Sequence, residues 1–477
     1  MSVILWLFGF FLVCLFASAA AARKLRHGSG EQFVLSRTLG GLVSGLSSGA
    51  TANSGFIVIG AVGMGYSLGV SSLLYPLAWL LGDIIFWSLC ARRVYGATEE
   101  KRSLSVPELI ANGTAFRLAR RLSAAIIAVF LTVYLVGQMS SAAKALDGQV
   151  EASPAVIIFV FAFLVAVYTA IGGFLSSVWT DVVQAVAMLT LVAGVLVWLA
   201  LEVGGVRTVY SELYAVDPSL VDLTGSLSSL PTAVGFVAFA FLAFGFGLSQ
   251  PQVTTRLMGL KSRTTLLVAA ITHISFVQVT WCGMCVVGVC LRLVLPSVVD
   301  PETALAVLAT ERLGMFGPAV IVGMFAAIVS SADSLMLGAS TAVTWDFAGN
   351  ATGDKQSISR HRIAVGGIAS VAAIAAVFWD ESVFAISVFA ASGLAATVGI
   401  GVFAAAFRVR RSGLSLCAAM GLGLIVCIVW RFAASNLYSL DTILGFASGV
   451  VTLFVLRPRG SYDVQSLEQP NSAGPPG

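Results

Sequence analysis

Gly323-Met-Phe-Ala-Ala-Ile-Val-Ser-Ser-Ala-Asp-Ser-Leu-Met-Leu-Gly338 lies inside a long apolar segment, yet it gathers Ser330, Ser331, Asp333 and Ser334. On a helix, Gly323, Ala327 and Ser331 fall four apart and form a small-residue face, with Ser330, Asp333 and Ser334 on a neighbouring polar edge. An aspartate near the middle of a membrane helix costs about 2.5–3.5 kcal/mol on insertion scales, so it needs a partner. Hydroxyls and a carboxylate with no basic residue nearby offer only oxygen, and oxygen-only clusters suit hard cations. Two readings stand at this point. One is a cation site. The other is serines bonded back to their own helix carbonyls, with the aspartate capping a kink.

Working outward, the 477 residues are 58% hydrophobic and only 10% charged, with mean hydropathy +0.95. Soluble domains carry about 25% charged residues, so the chain reads as an all-α polytopic membrane protein. Apolar runs long enough to cross a bilayer fall at 3–22, 38–64, 70–91, 122–145, 154–171, 180–202, 232–249, 266–294, 317–347, 363–379, 382–406, 413–432 and 440–456. The first of these thirteen has no basic residue before it, and Arg23, Lys24 and Arg26 follow it. It is therefore expected to be a retained span with its N-terminus outside. Alternating sides from there places 22 of the 27 basic residues inside, including Arg37, Arg256 and Arg263. Acids such as Asp147, Glu151, Asp300 and Glu302 fall outside, which is the positive-inside pattern.

The outside loop 296–317 is expected to hold a short helix, with Asp300 as its N-cap and Pro301 at its first position. A second short helix, interfacial, is expected at Ser105-Val-Pro-Glu-Leu-Ile. The tail after Arg459 is polar and rich in proline and glycine, the composition of a disordered segment. The seven cysteines sit mostly in apolar runs and make no disulfide framework. Cys282 and Cys285, although spaced Cys-x-x-Cys, lie inside a span and lack the strand–helix context of a redox motif. His27, His273 and His361 form no zinc pattern, and no Walker motif is present. Lys144 is expected to snorkel, and Asp83 is open between an ion path and a structural partner.

Spans two to six and seven to eleven match as two groups of five, and the first member of each is interrupted. Ser47-Ser-Gly-Ala-Thr-Ala-Asn-Ser-Gly55 breaks span two, and Gly245-Phe-Gly-Leu-Ser-Gln-Pro-Gln252 breaks span seven. Paired breaks of this kind point to an inverted repeat with a midplane site. Gly41, Gly45 and Gly49, four apart, also permit close helix packing.

Four blocks carry a resemblance. They are Arg37-Thr-Leu-Gly-Gly with Leu46-Ser-Ser-Gly-Ala-Thr-Ala-Asn-Ser-Gly55; Gly172-Gly-Phe-Leu-Ser-Ser-Val-Trp-Thr-Asp-Val-Val-Gln184; Ser249-Gln-Pro-Gln-Val-Thr-Thr-Arg256; and Ala326-Ala-Ile-Val-Ser-Ser-Ala-Asp-Ser334. In this order they resemble the sodium/solute symporter family, and most of all its sodium/proline symporters. The resemblance implies a five-plus-five inverted-repeat fold of the leucine-transporter type with flanking helices. Residues 1–31 would be a flanking helix and linker, 32–203 and 232–410 the two repeats, and 204–231 an outside loop. Residues 411–458 would be two flanking helices, and 459–477 a cytoplasmic tail.

Carried over position by position, Ala50, Asn53 and Ala327 would offer backbone carbonyls to sodium, and Ser330 and Ser331 their hydroxyls. Asp181 matches an aspartate associated with sodium on its inward route, and Arg37 an arginine linked to ion coupling. Solute would lie by Ser54, Gly55 and Phe56, with Tyr134, Gln250 and the aromatic stretch that includes Phe244. The chain departs from proline symporters at Ala52, where they have an aspartate. Asp333 instead stands where they have a small hydroxyl residue, so a carboxylate is expected to have moved across the ion site. The implied activity is sodium-coupled uptake of a small organic solute across the plasma (inner) membrane, with no cofactor, no enzymatic chemistry and no nucleic-acid partner. A membrane sensor is the alternative.

Overall fold

The structure, a computed structural model, describes residues 2–24, 37–111, 116–223, 230–349, 355–379, 381–433 and 440–457. Arg26, His27 and the tail after Arg459 lie outside them. Backbone polar groups in a bilayer must be satisfied within the segment, so long apolar runs fold as helices. In order these are α1 (Ser2–Lys24), α2 (Gly41–Ala52), α3 (Val62–Leu68), α4 (Leu74–Ile85), α5 (Ala91–Lys101), α6 (Val106–Ala111), α7 (Arg117–Ala145), α8 (Pro154–Val203), α9 (Val206–Val216) and α10 (Leu230–Ser249). They continue as α11 (Pro251–Met258), α12 (Leu266–Val294), α13 (Ala304–Glu311), α14 (Gly317–Thr341), α15 (Lys355–Phe378), α16 (Val383–Ala395), α17 (Val398–Ala406), α18 (Gly413–Ala433) and α19 (Asp441–Val455). Among the described residues the β contact is one isolated parallel bridge, Leu39 with Leu260, which ties the entry of α2 to the exit of α11.

Among the described residues, seven helical stretches are long and apolar enough to cross a membrane. Two bent pairs, α10–α11 at 56° and α16–α17 at 42°, pass the same test together. Val3–Ala17 and Asp441–Val455 are shorter apolar helices. Two of the seven stretches merge expected runs. Phe56–Lys101 joins the second half of run two to run three, because a π-helical turn (Phe56–Ala61) and short 3-10 and π turns carry the helix through. Pro154–Val203 joins runs five and six, which were expected to be separated by a connection at 172–179. The single non-helical residue there is Gly173, at φ 72°, ψ −171°. A side chain would strain that conformation, and glycine adopts it freely.

Several expectations meet their partners. Asp300 caps its helix by accepting from the Glu302 N–H (3.0 Å), with Pro301 next. The glycine stripe packs on α12, where a Cβ at Gly45 would stand 2.6 Å from the Ala269 carbonyl oxygen. All seven cysteines are free. Lys144 does not snorkel, because its ammonium reaches Asp300 and Glu302, each at 2.7 Å. Glu302 in turn accepts from the N–H groups of Val383 and Phe384 at the start of α16. The short helix α6 is tied in rather than free at an interface. Arg120 bridges Glu108 (2.8 Å) and Asp346 (2.9 Å), and Ser105 donates to Asp346 (2.7 Å).

Burial sorts the helices. In α14, 94% of the most apolar stretch is buried, against 33% in α15 and in α18. So α14 is the central post, packed on α7 and α8, while α15 and α18 turn half of themselves outward. The stretch Gly323–Gly338 lies at the centre of that post, and its Ser330 and Ser331 face α2.

Candidate ion and solute site

Helix α2 ends where Asn53 leaves helical geometry (φ −84°, ψ 79°). Ser54 N–H turns back to the Ala52 carbonyl (3.1 Å), and the Ser54 hydroxyl accepts from Phe56 N–H (3.1 Å). Gly55 N–H donates to Gln138 Oε1 (2.9 Å). Only glycine fits there, since a Cβ would stand 2.0 Å from Ser141 Oγ. A helix end leaves its last carbonyls without intrahelical partners. Here α14 reaches them: Ser330 Oγ donates to Ala50 O (3.0 Å) or Ala327 O (3.0 Å), and Ser331 Oγ donates to Thr51 O (2.9 Å). The structure thus brings Ala50, Ala327, Ser330 and Ser331 together, with Asn53 at the same helix end, and adds Thr51 to them. A hydroxyl carries two lone pairs and a hydrogen that rotates. When that hydrogen swings away, the same oxygens present a compact, uncharged, oxygen-only cradle, the chemistry that hard cations prefer.

One helical turn further along α14 the character changes. Arg256 is 1% exposed, and its Nη2 donates to Asp181 Oδ2 (3.1 Å), Ser334 Oγ (2.7 Å) and Ser177 Oγ (3.1 Å). Its Nε donates to Ser47 Oγ (3.2 Å), and Ser47 donates to Asp181 Oδ2 (2.6 Å). Ser44 Oγ closes the group on the Arg256 carbonyl (2.8 Å). Four helices, α2, α8, α11 and α14, are stitched by one buried ion pair. Arg256 was expected in an inside connection; instead it is held in the interior by α11, which starts at Pro251 and carries it inward. Asp181 does not open a helix. It lies within α8, fully buried. Asp333 does not bond α2. Its Oδ1 accepts from Thr169 of α8 (2.8 Å). Arg37, partly buried, donates to the Thr98 carbonyl.

Beside the break lies a small cavity of about 20 Å³, lined by residues that include Asn53, Phe56, Trp79, Tyr134, Phe246 and Trp281. The rings are in contact, Phe56 with Trp281 at 4.9 Å and Trp79 with Phe246 at 4.9 Å between centroids. Ser387 of α16 also lines it. Of the residues expected to meet solute, Phe56 and Tyr134 line the cavity, and Ser54 is joined to them only through its Oγ, 3.4 Å from Tyr134 OH. Phe244 does not line this cavity. It packs on Phe241 and Phe446, and Phe246 of the same helix takes the place expected for it. Gln250 is also elsewhere, buried at the α10–α11 break and accepting from Gln252 (2.9 Å). Trp79 and Trp281 were not expected as lining residues. Trp281 immediately precedes Cys282, and neither tryptophan carries a sequence signal beyond being an aromatic in an apolar run. His273 bonds Ser48 (2.9 Å), which gives it a structural partner, while Asp83 Oδ2 stands 3.8 Å from His273 Nε2, beyond hydrogen-bond reach.

Known proteins share this arrangement of helices. A Na+-coupled sialic acid symporter in its substrate-bound outward-open state superposes with a TM-score of 0.79, covering 95% of this chain and 97% of its own at 16% identity. In sequence, the high-affinity proline transporter PutP of Bacillus subtilis is 26% identical over 88% of this chain and 90% of its own length. The sodium/proline symporter of Escherichia coli is 26% identical over 91% of this chain and 88% of its own. Residues 32–439 match the model of the sodium:solute symporter family. Fold, sequence blocks and family match agree, and the chain belongs to the sodium:solute symporter family.

Proposed function

We propose that this protein imports a small organic solute, an amino acid such as proline or another small amine or carboxylate, by coupling it to inward sodium movement. The observation that carries the reading is the pair of α14 hydroxyls on the carbonyls of broken α2. Sodium would take those oxygens, from Ala50, Asn53, Ala327, Ser330 and Ser331, and hold α2 against α14. Solute entering the aromatic cavity would then allow closure, and sodium would leave past Asp181 by alternating access. The reading includes thirteen spans with the N-terminus outside, and a five-plus-five repeat whose two broken members are α2–α3 and α10–α11. The proline-transporting relatives support an amino-acid-like solute.

The energetics suffice. One charge crossing 100 mV releases about 2.3 kcal/mol, and a tenfold sodium gradient adds about 1.4 kcal/mol. Tight one-to-one coupling then sustains roughly 500-fold accumulation. The test is uptake of labelled amino acids, amines and carboxylates into proteoliposomes under an inward sodium gradient, against an equal potassium gradient. Sodium-specific accumulation above equilibrium is the expected result, and equal uptake in both salts would sink the proposal.

A further inference from the structure

Asn53 is 1% exposed, and its side-chain amide is divided between two surroundings. Nδ2 donates to Thr280 Oγ1 of α12, while Oδ1 has no hydrogen-bond partner among the described residues. The hydrogen bonding of Thr280 fits that orientation. The Thr280 hydroxyl hydrogen goes to the carbonyl of Phe276 (2.7 Å) or Val277 (3.1 Å). Thr280 Oγ1 can then only accept, and only the NH2 end of an amide can serve it. The carbonyl end of Asn53 is left as a buried acceptor in a residue that lines the cavity. Among the described residues lining that cavity none is charged, and Ser387 adds a buried hydroxyl that also lacks a partner.

An acceptor unmet in apolar surroundings is a penalty that an arriving N–H removes. The aromatic rings of Trp79, Trp281 and Tyr134 also line the cavity, and a ring face open to it would attract a cation. A quaternary ammonium would satisfy the rings and leave Oδ1 unmet. A sugar or a simple carboxylate would leave the rings without their cation. Ala52, immediately before Asn53, supplies no carboxylate to take over the task. We propose that the solute carries an ammonium bearing at least one N–H, that Asn53 Oδ1 is the specificity-determining acceptor for it, and that Thr280 is the positioning residue that aims Asn53. This rests on the sodium-driven uptake reading above and narrows its solute.

The test uses the full chain in proteoliposomes under a sodium gradient, with labelled amines paired with their fully N-methylated forms: L-proline, glycine and ethanolamine, each against its quaternary counterpart. At least one N–H member is taken up, and exceeds its quaternary partner by about tenfold or more. Asn53→Leu brings that ratio close to one. Thr280→Val, which keeps the shape, frees the amide to turn over. It raises KM for the N–H solute about tenfold, with kcat and the half-activating sodium concentration within about twofold. A packing role for Thr280 would leave the ratio of the pair unchanged, and that result would overturn the assignment even if Asn53→Leu does not fold. Sodium-driven uptake that favours the quaternary partner, or a sugar or monocarboxylate added to the panel, overturns the inference and leaves sodium coupling standing. No sodium-driven uptake of any of these solutes overturns the coupling reading, and the inference with it.

Discussion

At the break between α2 and α3 the carbonyls of Ala50 and Thr51 meet serine hydroxyls, and no formal charge is involved. At the break between α10 and α11, Gln250 meets Gln252, and Arg256 four residues further on is held by Asp181 and three serines. Both breaks lean on the same stretch of α14, through Ser330 and Ser331 at one and Ser334 at the other. Neutral hydroxyl–carbonyl contacts are individually worth about 0.5–1.5 kcal/mol and can be exchanged for a cation. A buried arginine–carboxylate pair is different, because removing one partner strands a charge in low dielectric. The first break is built to be rewired by an ion, and the second to hold four helices in register.

Arg256→Leu should show that difference most strongly. It leaves Asp181 as a buried carboxylate without its cation, at a penalty of about 3–5 kcal/mol. Thermal unfolding in detergent should fall accordingly, and the double variant with Asp181→Asn should recover part of the loss. Wild-type stability in the single variant would mean that the pair does not hold the second break.

Asp181→Asn alone keeps a group that can accept from Ser47 but removes the charge opposite Arg256. Turnover is expected to drop about tenfold, close to 1.4 kcal/mol on the barrier, with solute KM nearly unchanged because Asp181 does not line the aromatic cavity. Steady-state uptake separates the two. A raised KM with unchanged turnover would move Asp181 from the ion route to the solute.

Asp333→Asn should have the smallest effect. The amide can still accept from Thr169, so half-activating sodium should shift less than about twofold, within the worth of one neutral hydrogen bond. A larger shift, measured as uptake against sodium concentration, would restore the carboxylate to the ion site, as the residue pattern suggested.

That last contrast shows how far the residues could be read. The small-residue face of Gly323, Ala327 and Ser331, the glycine stripe of α2 and the Asp300-Pro301 cap are local patterns. They were legible because helix periodicity and capping chemistry act within a few residues. Arg256 was not, since beside Lys261 and Arg263 it looks like another inside charge. Its partner Asp181 is 75 residues away, and only the α11 turn brings the two together. Lys144 has the same history, with acids 156 and 158 residues further on. The choice between Phe244 and Phe246 depended on helical phase, which α10 settles by packing against α4 and α16. At 172–179 the departure from helical geometry is confined to Gly173, so a one-residue kink looks in the residues like a connection.

The central claim is that the hydroxyls of Ser330 and Ser331 and the carbonyls of broken α2 bind sodium. Its most direct test is the melting temperature of the purified protein, followed as sodium replaces potassium at constant ionic strength. A ligand that binds only the folded state stabilises it by mass action. The account predicts that sodium raises the melting temperature of the wild type. It predicts that Ser330→Ala and Ser331→Ala each shift the half-effective concentration upward by roughly tenfold, for the loss of one buried partner worth about 1–3 kcal/mol. A sodium response identical to wild type in both variants, each properly folded, would contradict it.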